Sequence, residues 1–188
     1  MKKNMKNQML FLALIMLPLS FMGQKTVHNN FPDMPIDENT KLVSYREVAR
    51  MTGTPDVLFD RALAWANKYY KNPTAVIKKK DKPSGIIECV SNINIYTLAK
   101  DGVTKVNAGS IYYTLTIEAR DNRYRYTITD IHKREQSQFP IERWLDNTRP
   151  EWTAVRYDHL HQIDEAVRKL MEEIEEGMQP EKVIVDEW

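Results

Sequence analysis

Residues 114–129 read TLTIEARDNRYRYTIT, a run in which apolar and polar side chains alternate on both sides of Asp121-Asn122. Alternation with a period of two marks a strand with one buried face. Asp and Asn tolerate positive φ, so these two residues suit the loop of a tight hairpin, and counting outward from them fixes the register. Arg120 then opposes Arg123, Ala119 opposes Tyr124, Glu118 opposes Arg125, and Ile117 opposes Tyr126. Thr116–Thr127, Leu115–Ile128 and Thr114–Thr129 follow. One face collects Ala, Tyr, Ile, Tyr, Leu and Ile; the other collects three arginines, Glu118 and four threonines. A slip by one residue would mix the two sets, so the pattern itself argues for this pairing. Arginine alternating with tyrosine therefore makes no aromatic-basic reading strip, because Tyr124 and Tyr126 point to the core while Arg123 and Arg125 point away from it.

The neighbouring segments extend the plan. GIIECVSNINIY (residues 85–96) has the same period, and Asp81-Lys82-Pro83-Ser84-Gly85 separates it from TAVIKKK (residues 74–80), which predicts a second hairpin with the basic run Lys78–Lys82 at its tip. A polar loop holding Gly102 and Gly109 leads from that hairpin into SIYYTLTIEAR. Upstream, Leu58, Phe59, Ala62, Leu63, Trp65, Ala66, Tyr69 and Tyr70 recur at spacings of three and four, the apolar face of a helix. Thr54 is its expected N-cap, Pro55 its first position, and Asp56 suits the positive end of the dipole. LVSYREVARM (residues 42–51) reads as a first strand. Downstream, a loop containing Pro140, Trp144, Asn147 and Pro150 gives way near Tyr157 to a helix with Leu160, Ile163, Val167, Leu170, Met171 and Ile174 on one side, ending at Gly177. Its acidic last turn (Glu172, Glu173, Glu175, Glu176) opposes the dipole, so that end either frays or meets something basic. Strand, helix, four strands, helix predicts an α+β fold in two layers, an antiparallel sheet of about five strands with two helices packed on one face.

Both ends read differently from this domain. Met1–Gln8 carries Lys2, Lys3 and Lys6 with no acid, and Met9–Met22 is apolar apart from Pro18 and Ser20, the pattern of a secretory signal peptide spanning residues 1–23. The apolar run is shorter than the roughly 20 residues of a membrane span, although an uncleaved N-terminal anchor is the competing reading. No cysteine follows it to carry a lipid. Residues 24–40 are polar, hold Pro32 and Pro35, and read as a flexible leader; residues 41–177 form a single domain; residues 178–188, ending PEKVIVDEW, are a tail that either adds an edge strand or hangs free. An exported protein, periplasmic or secreted, is expected, with no membrane span after cleavage. Removing the three signal-peptide lysines from 27 basic residues leaves 24 against 26 acidic ones, a balance with no general attraction for nucleic-acid phosphates. Cys89 is the one cysteine, so no intramolecular disulfide can form.

Reactive constellations are scarce. His28 lies in the leader, His132 at a strand end, and His159 and His161 are two apart near a helix start, so they face different directions. There is no CxxC, HExxH or HxxxH from which to assemble a zinc site, no GxSxG, no phosphate-cradling glycine loop and no dinucleotide fingerprint. Cys89 in a strand reads as a small buried hydrophobe. No cofactor is expected.

The stretch GTPDVLFDRALAWANKYYKNPTAVIKKKDKPSGIIECV, followed by YTLTIEARDNRYRYTITDI, resembles a domain of unknown function found in secreted proteins of Gram-negative bacteria and described as having a fold like the TATA-binding protein. The matching features are Gly53-Thr54 before the helix, Asp60-Arg61-Ala62 and Trp65 within it, the turn Asp81 to Gly85 followed by Ile86, and Arg123-Tyr124-Arg125 in a strand ending at Asp130-Ile131. The resemblance covers about Leu42 to Ile131. It implies a TBP-like sheet and carries no catalytic residue across. Other proteins of this architecture bind DNA through the open sheet face, but that is likeness of fold alone.

Three functions follow from different classes. The favoured one is a non-catalytic binding module that engages another envelope protein or a glycan, with Thr114, Thr116, Arg123, Arg125, Thr127 and Thr129 as the ligand face. The second is an enzyme with a loop-borne site around Asp130, His132 and Arg134. The third, nucleic-acid binding by the sheet face, is disfavoured by the acidic balance, by export and by the lack of apolar wedges.

Overall fold

The computed structural model describes residues 31–135 and 137–180; the predicted signal peptide, residues 24–30 of the leader and most of the tail lie outside the described residues. The β4–β5 hairpin, formed by Lys105–Arg120 and Arg123–Arg134, has the register that alternation implies, with all seven pairs from Arg120–Arg123 to Thr114–Thr129 in place. Of the two loop residues only Asn122 takes positive φ, at 55°. Its carbonyl accepts from Met51 N–H at 3.1 Å, its own N–H donates to Gly53 O at 3.0 Å, and its side-chain oxygen accepts from Gly53 N–H at 3.2 Å. The hairpin tip is thus clasped to the chain just before the first helix.

Five antiparallel strands run in the spatial order β1-β5-β4-β3-β2, with β1 at Tyr45–Arg50, β2 at Ile77–Asp81 and β3 at Ile86–Leu98. Helix α1 (Pro55–Tyr69) starts as the sequence dictates, Thr54 Oγ1 accepting from Val57 N–H at 3.4 Å. The long C-terminal helix runs from Val155 to Gly177 and buries Leu160, Ile163, Val167, Leu170 and Ile174. Both helices lie on one face of the sheet. The Tyr113 hydroxyl meets that of Tyr70, just past α1, at 3.4 Å, and Tyr126 donates to Glu175 of the long helix at 2.7 Å. Tyr113 and Tyr126 share the inward side with Leu115, Ile117 and Ile128, and all join one hydrophobic core with Leu58, Phe59, Ala62 and Trp65.

Four segments depart from the local reading. Thr74–Val76 are helical, not strand: Asn72 accepts from Ala75 N–H at 3.3 Å and Pro73 occupies the first position, so a short turn α2 (Pro73–Val76) forms before β2 begins. With it in place, the long C-terminal helix is α3. The polar segment around Gly109 belongs to β4, where a register shift after Ile95 lets the strand continue past the glycine at φ +116°. Within the predicted loop after His132, Gln138–Pro140 form β6, which pairs with the end of β5, and Ile141–Trp144 form a 3-10 turn that buries Ile141 and Trp144. Finally, the segment from Phe31 to Thr40, read as leader, is packed. Met34 is buried, Phe31 lies 4.9 Å from the Tyr157 ring, Ile36 bridges to Val43, and Arg168 donates to Asp33 O at 2.9 Å. Its polarity hid two apolar anchors that reach the α3 side of the core.

One bulge governs the end of β5. Thr114 opposes Thr129, yet Tyr112 opposes His132, so the β5 side carries one extra residue, and Asp130 takes φ 53° to accommodate it. Before the bulge β5 pairs with β1; after it, with β6.

Candidate functional site

The sheet face turned away from α1 and α3 carries the six residues singled out by the sequence. Because β1 lies against β5 in register, its outward residues complete rows across three strands: Arg50, Arg123 and Arg120; Val48, Arg125 and Glu118; Arg46, Thr127 and Thr116. The third row continues through Glu88 of β3 to Lys79 of β2. Thr114, Thr116, Thr127 and Thr129 are half-buried, whereas Arg123 and Arg125 are exposed. Thr129 is partly engaged, its hydroxyl donating to Val43 O at 3.3 Å.

Charge on this face is unevenly neutralised. Arg125 Nε donates to Glu118 at 2.6 Å, and Arg46 lies 3.8 Å from Asp37. Both pairs are solvated, worth at most about 1 kcal/mol each. Arg50, Arg120 and Arg123 make no ion pair among the described residues, although Arg123 stands directly between the other two. Like charges directly opposite one another destabilise a sheet. A cleft of about 540 Å³ opens here, lined by Val48, Glu118, Arg120, Arg123, Tyr124 and Arg125. The sequence marks Arg123 and Arg125 but not Arg50 or Val48. The alternation in Arg46-Glu47-Val48-Ala49-Arg50 gives their outward direction, but only the topology gives their neighbour.

Asp130 and Arg134 come together with His132, the first directly and the second through Tyr112. His132 is 4% exposed, its Nδ1 lying 2.8 Å from Asp130 O and 3.4 Å from the Asp130 carboxylate. Its ring stacks on Tyr112, and the Arg134 guanidinium lies 4.3 Å from the centre of that same tyrosine ring. The imidazole is thus sealed by packing. Three lysines of the basic run at the β2–β3 tip are likewise engaged: Lys82 donates to Asp60 at 2.8 Å, Lys79 lies 3.3 Å from Asp81, and Lys78 reaches Ala75 O.

Other ionisable groups are built into the fold. The buried Cys89 thiol is pushed up to about 12 by burial and by nearby Glu88. His159 is buried with Nε2 2.9 Å from Thr97 Oγ1, and burial, helped by Arg156 and Lys133, pushes its pKa down to about 4. Burial and the hydrogen bond to Glu175 raise the Tyr126 phenol, so the acidic end of α3 meets a phenol rather than a base. No cluster of three or more metal-ligating side chains occurs among the described residues. A second cleft, of about 570 Å³, lies between the end of α1, β3 and α3, and is lined by Tyr69, Tyr70, Asn72, Asn92, Tyr113 and Lys169 among others.

A six-stranded antiparallel sheet with both long helices on one side and the other side turned outward defines a two-layer α+β domain of TBP-like fold. Residues 45–134, from the first residue of β1 to the last of β5, match the sequence profile of a family described as "Domain of unknown function (DUF4468) with TBP-like fold". A DUF4468 family protein from Bacteroides ovatus superposes with a TM-score of 0.61 at 12% identity, covering 79% of this chain and 92% of that one. A TBP-like protein from Parabacteroides distasonis superposes with a TM-score of 0.56 at 19% identity, covering 78% and 97%. At these identities the likeness is one of fold. No curated protein matches the chain.

Proposed function

We propose that this chain is a non-catalytic binding module of the cell envelope, working on the outer side of the inner membrane, and that it engages another envelope protein or a glycan through the outward sheet face. The observation that supports this most is the row Arg50–Arg123–Arg120, three charges held side by side with no ion-pair partner among the described residues, on a face that α1 and α3 leave uncovered. A protein that kept such a row only for its own stability would gain by losing it. The threonines and the Glu118–Arg125 pair supply the neutral and mixed-charge remainder of a polar recognition surface. Nucleic acid fits less well, because Glu118 and Glu88 interrupt the basic surface and Val48 is the one exposed apolar side chain in the three rows.

The test places a photo-crosslinking amino acid at Thr116 in the full chain inside cells. Discrete adducts are expected from Thr116 and not from a control at Arg61 on α1. Adducts from neither position, or equally from both, would remove the outward face as the docking surface.

A further inference from the structure

We propose that Arg50, Arg120 and Arg123 hold a diphosphoryl ligand, two phosphates carried close together on one molecule, at the β4–β5 hairpin tip; the inference rests on reading the outward face as the binding surface. The three arginines occupy directly opposed positions on adjacent strands. Strands lie about 4.8 Å apart, so the row spans about 10 Å. A single carboxylate or orthophosphate meets one or two of these forks, whereas a ligand with anionic oxygens at both ends meets all three. The guanidinium fork matches phosphate oxygens in a bidentate way, which favours phosphate over a point-charge partner.

The surroundings agree with this ligand. Arg125 is already committed to Glu118, so this ion pair borders the site without competing for the anion. Val48, 56% exposed in the next row, offers an apolar rest for the uncharged part of the molecule. Of the four lysines at the β2–β3 tip, Lys82, Lys79 and Lys78 are tied to Asp60, Asp81 and a backbone carbonyl, so basicity alone does not single out the arginine row. What singles it out is the absence of ion-pair partners, among the described residues, at three directly adjacent positions.

The experiment titrates the full chain with pyrophosphate and separately with orthophosphate, at a constant ionic strength of about 0.1 M, by calorimetry and by melting temperature. Pyrophosphate is expected to bind at least about tenfold more tightly than orthophosphate and to raise Tm. Arg123→Gln is expected to weaken pyrophosphate binding by about tenfold or more, while its ligand-free Tm matches or exceeds that of the unaltered protein, because two like-charge contacts are relieved. Should Arg123→Gln fail to fold, Arg50→Gln and Arg120→Gln carry the same expectation. Lys82→Gln, at the β2–β3 tip and outside the three rows, should leave binding unchanged. Equal affinity for the two anions, or undiminished pyrophosphate binding in the arginine variants, overturns the proposal. So does tighter binding of duplex DNA than of pyrophosphate with a steep salt dependence, which would make the row part of a nucleic-acid surface. Co-sedimentation with phosphatidylcholine vesicles containing cardiolipin, lost in Arg123→Gln, identifies a lipid headgroup as the source; pyrophosphate binding without vesicle binding identifies a soluble one. These measurements use the isolated protein, so their failure leaves cross-linking from Thr116 standing, and failed cross-linking leaves the anion result standing.

Discussion

His159 shows how a single buried side chain ties stability to acidity. Its imidazole is held neutral by burial, with a pKa pushed down to about 4, while in the unfolded chain it binds a proton near 6.5. As pH falls through that window the unfolded state takes up a proton that the native state refuses, so this contribution is whole above 6.5 and is lost progressively toward 4. His159→Gln, which keeps a hydrogen-bonding partner for Thr97, is expected to flatten the fall of Tm between pH 6.5 and 4; a slope equal to that of the unaltered protein would contradict the assignment. Gly177 makes a steric case. Its sequence position suggests a helix-ending glycine with positive φ, yet its φ is not positive, and a Cβ there would collide with the Trp65 ring at Cδ1 where α3 passes α1. Gly177→Ala is therefore expected to lower the free energy of unfolding in urea by about 1–3 kcal/mol, through displacement of the Trp65 ring rather than through helix propensity.

The β4–β5 hairpin was readable because everything that fixes it is local: two loop residues and a strict alternation on each side. Asn122 carries two jobs there, which substitution can separate. Asn122→Gly keeps access to φ 55° but loses the side-chain bond to Gly53, at a cost of about 0.5–1.5 kcal/mol. Asn122→Ala loses both and should cost about 1 kcal/mol more in denaturant unfolding; equal losses would mean that the backbone conformation contributes nothing. Elsewhere local pattern and structure differ wherever a non-local or capping effect decides the outcome. Thr74–Val76 have strand composition, but Asn72 and Pro73 cap them into a helical turn. The bulge at Asp130 left no mark in composition, and the predicted alternation simply stops there. Arg123 and Arg125 could be found from their own strand, whereas Arg50 enters the site only because β1 lies beside β5, a choice made by the whole sheet.

At the level of the complete domain, the segment before β1 is the largest departure from expectation. Phe31, Met34 and Val43 fasten it over the α3 side, and Glu142 accepts from Val43 N–H at 2.7 Å, tying it also to the 3-10 turn. Deleting the chain up to Thr40, harmless to a flexible leader, is instead expected to cost about 1.5–3 kcal/mol for Met34 alone, measured as a lower urea midpoint with an unchanged final baseline. The strand that follows has a further consequence, in time rather than in space. The contact between Gly53 and Asn122 joins positions 69 residues apart, while the β4–β5 hairpin closes through a two-residue loop. Closing the long loop carries the larger entropy cost, so β1 joins an edge that β5 has already built. Pulse-labelling hydrogen exchange during refolding is expected to protect the amides of β4 and β5 before those of β1. Arg50 then reaches its row last, so a chain still in the course of folding lacks the complete cationic surface, and a ligand of the kind proposed would distinguish a finished molecule from an unfinished one.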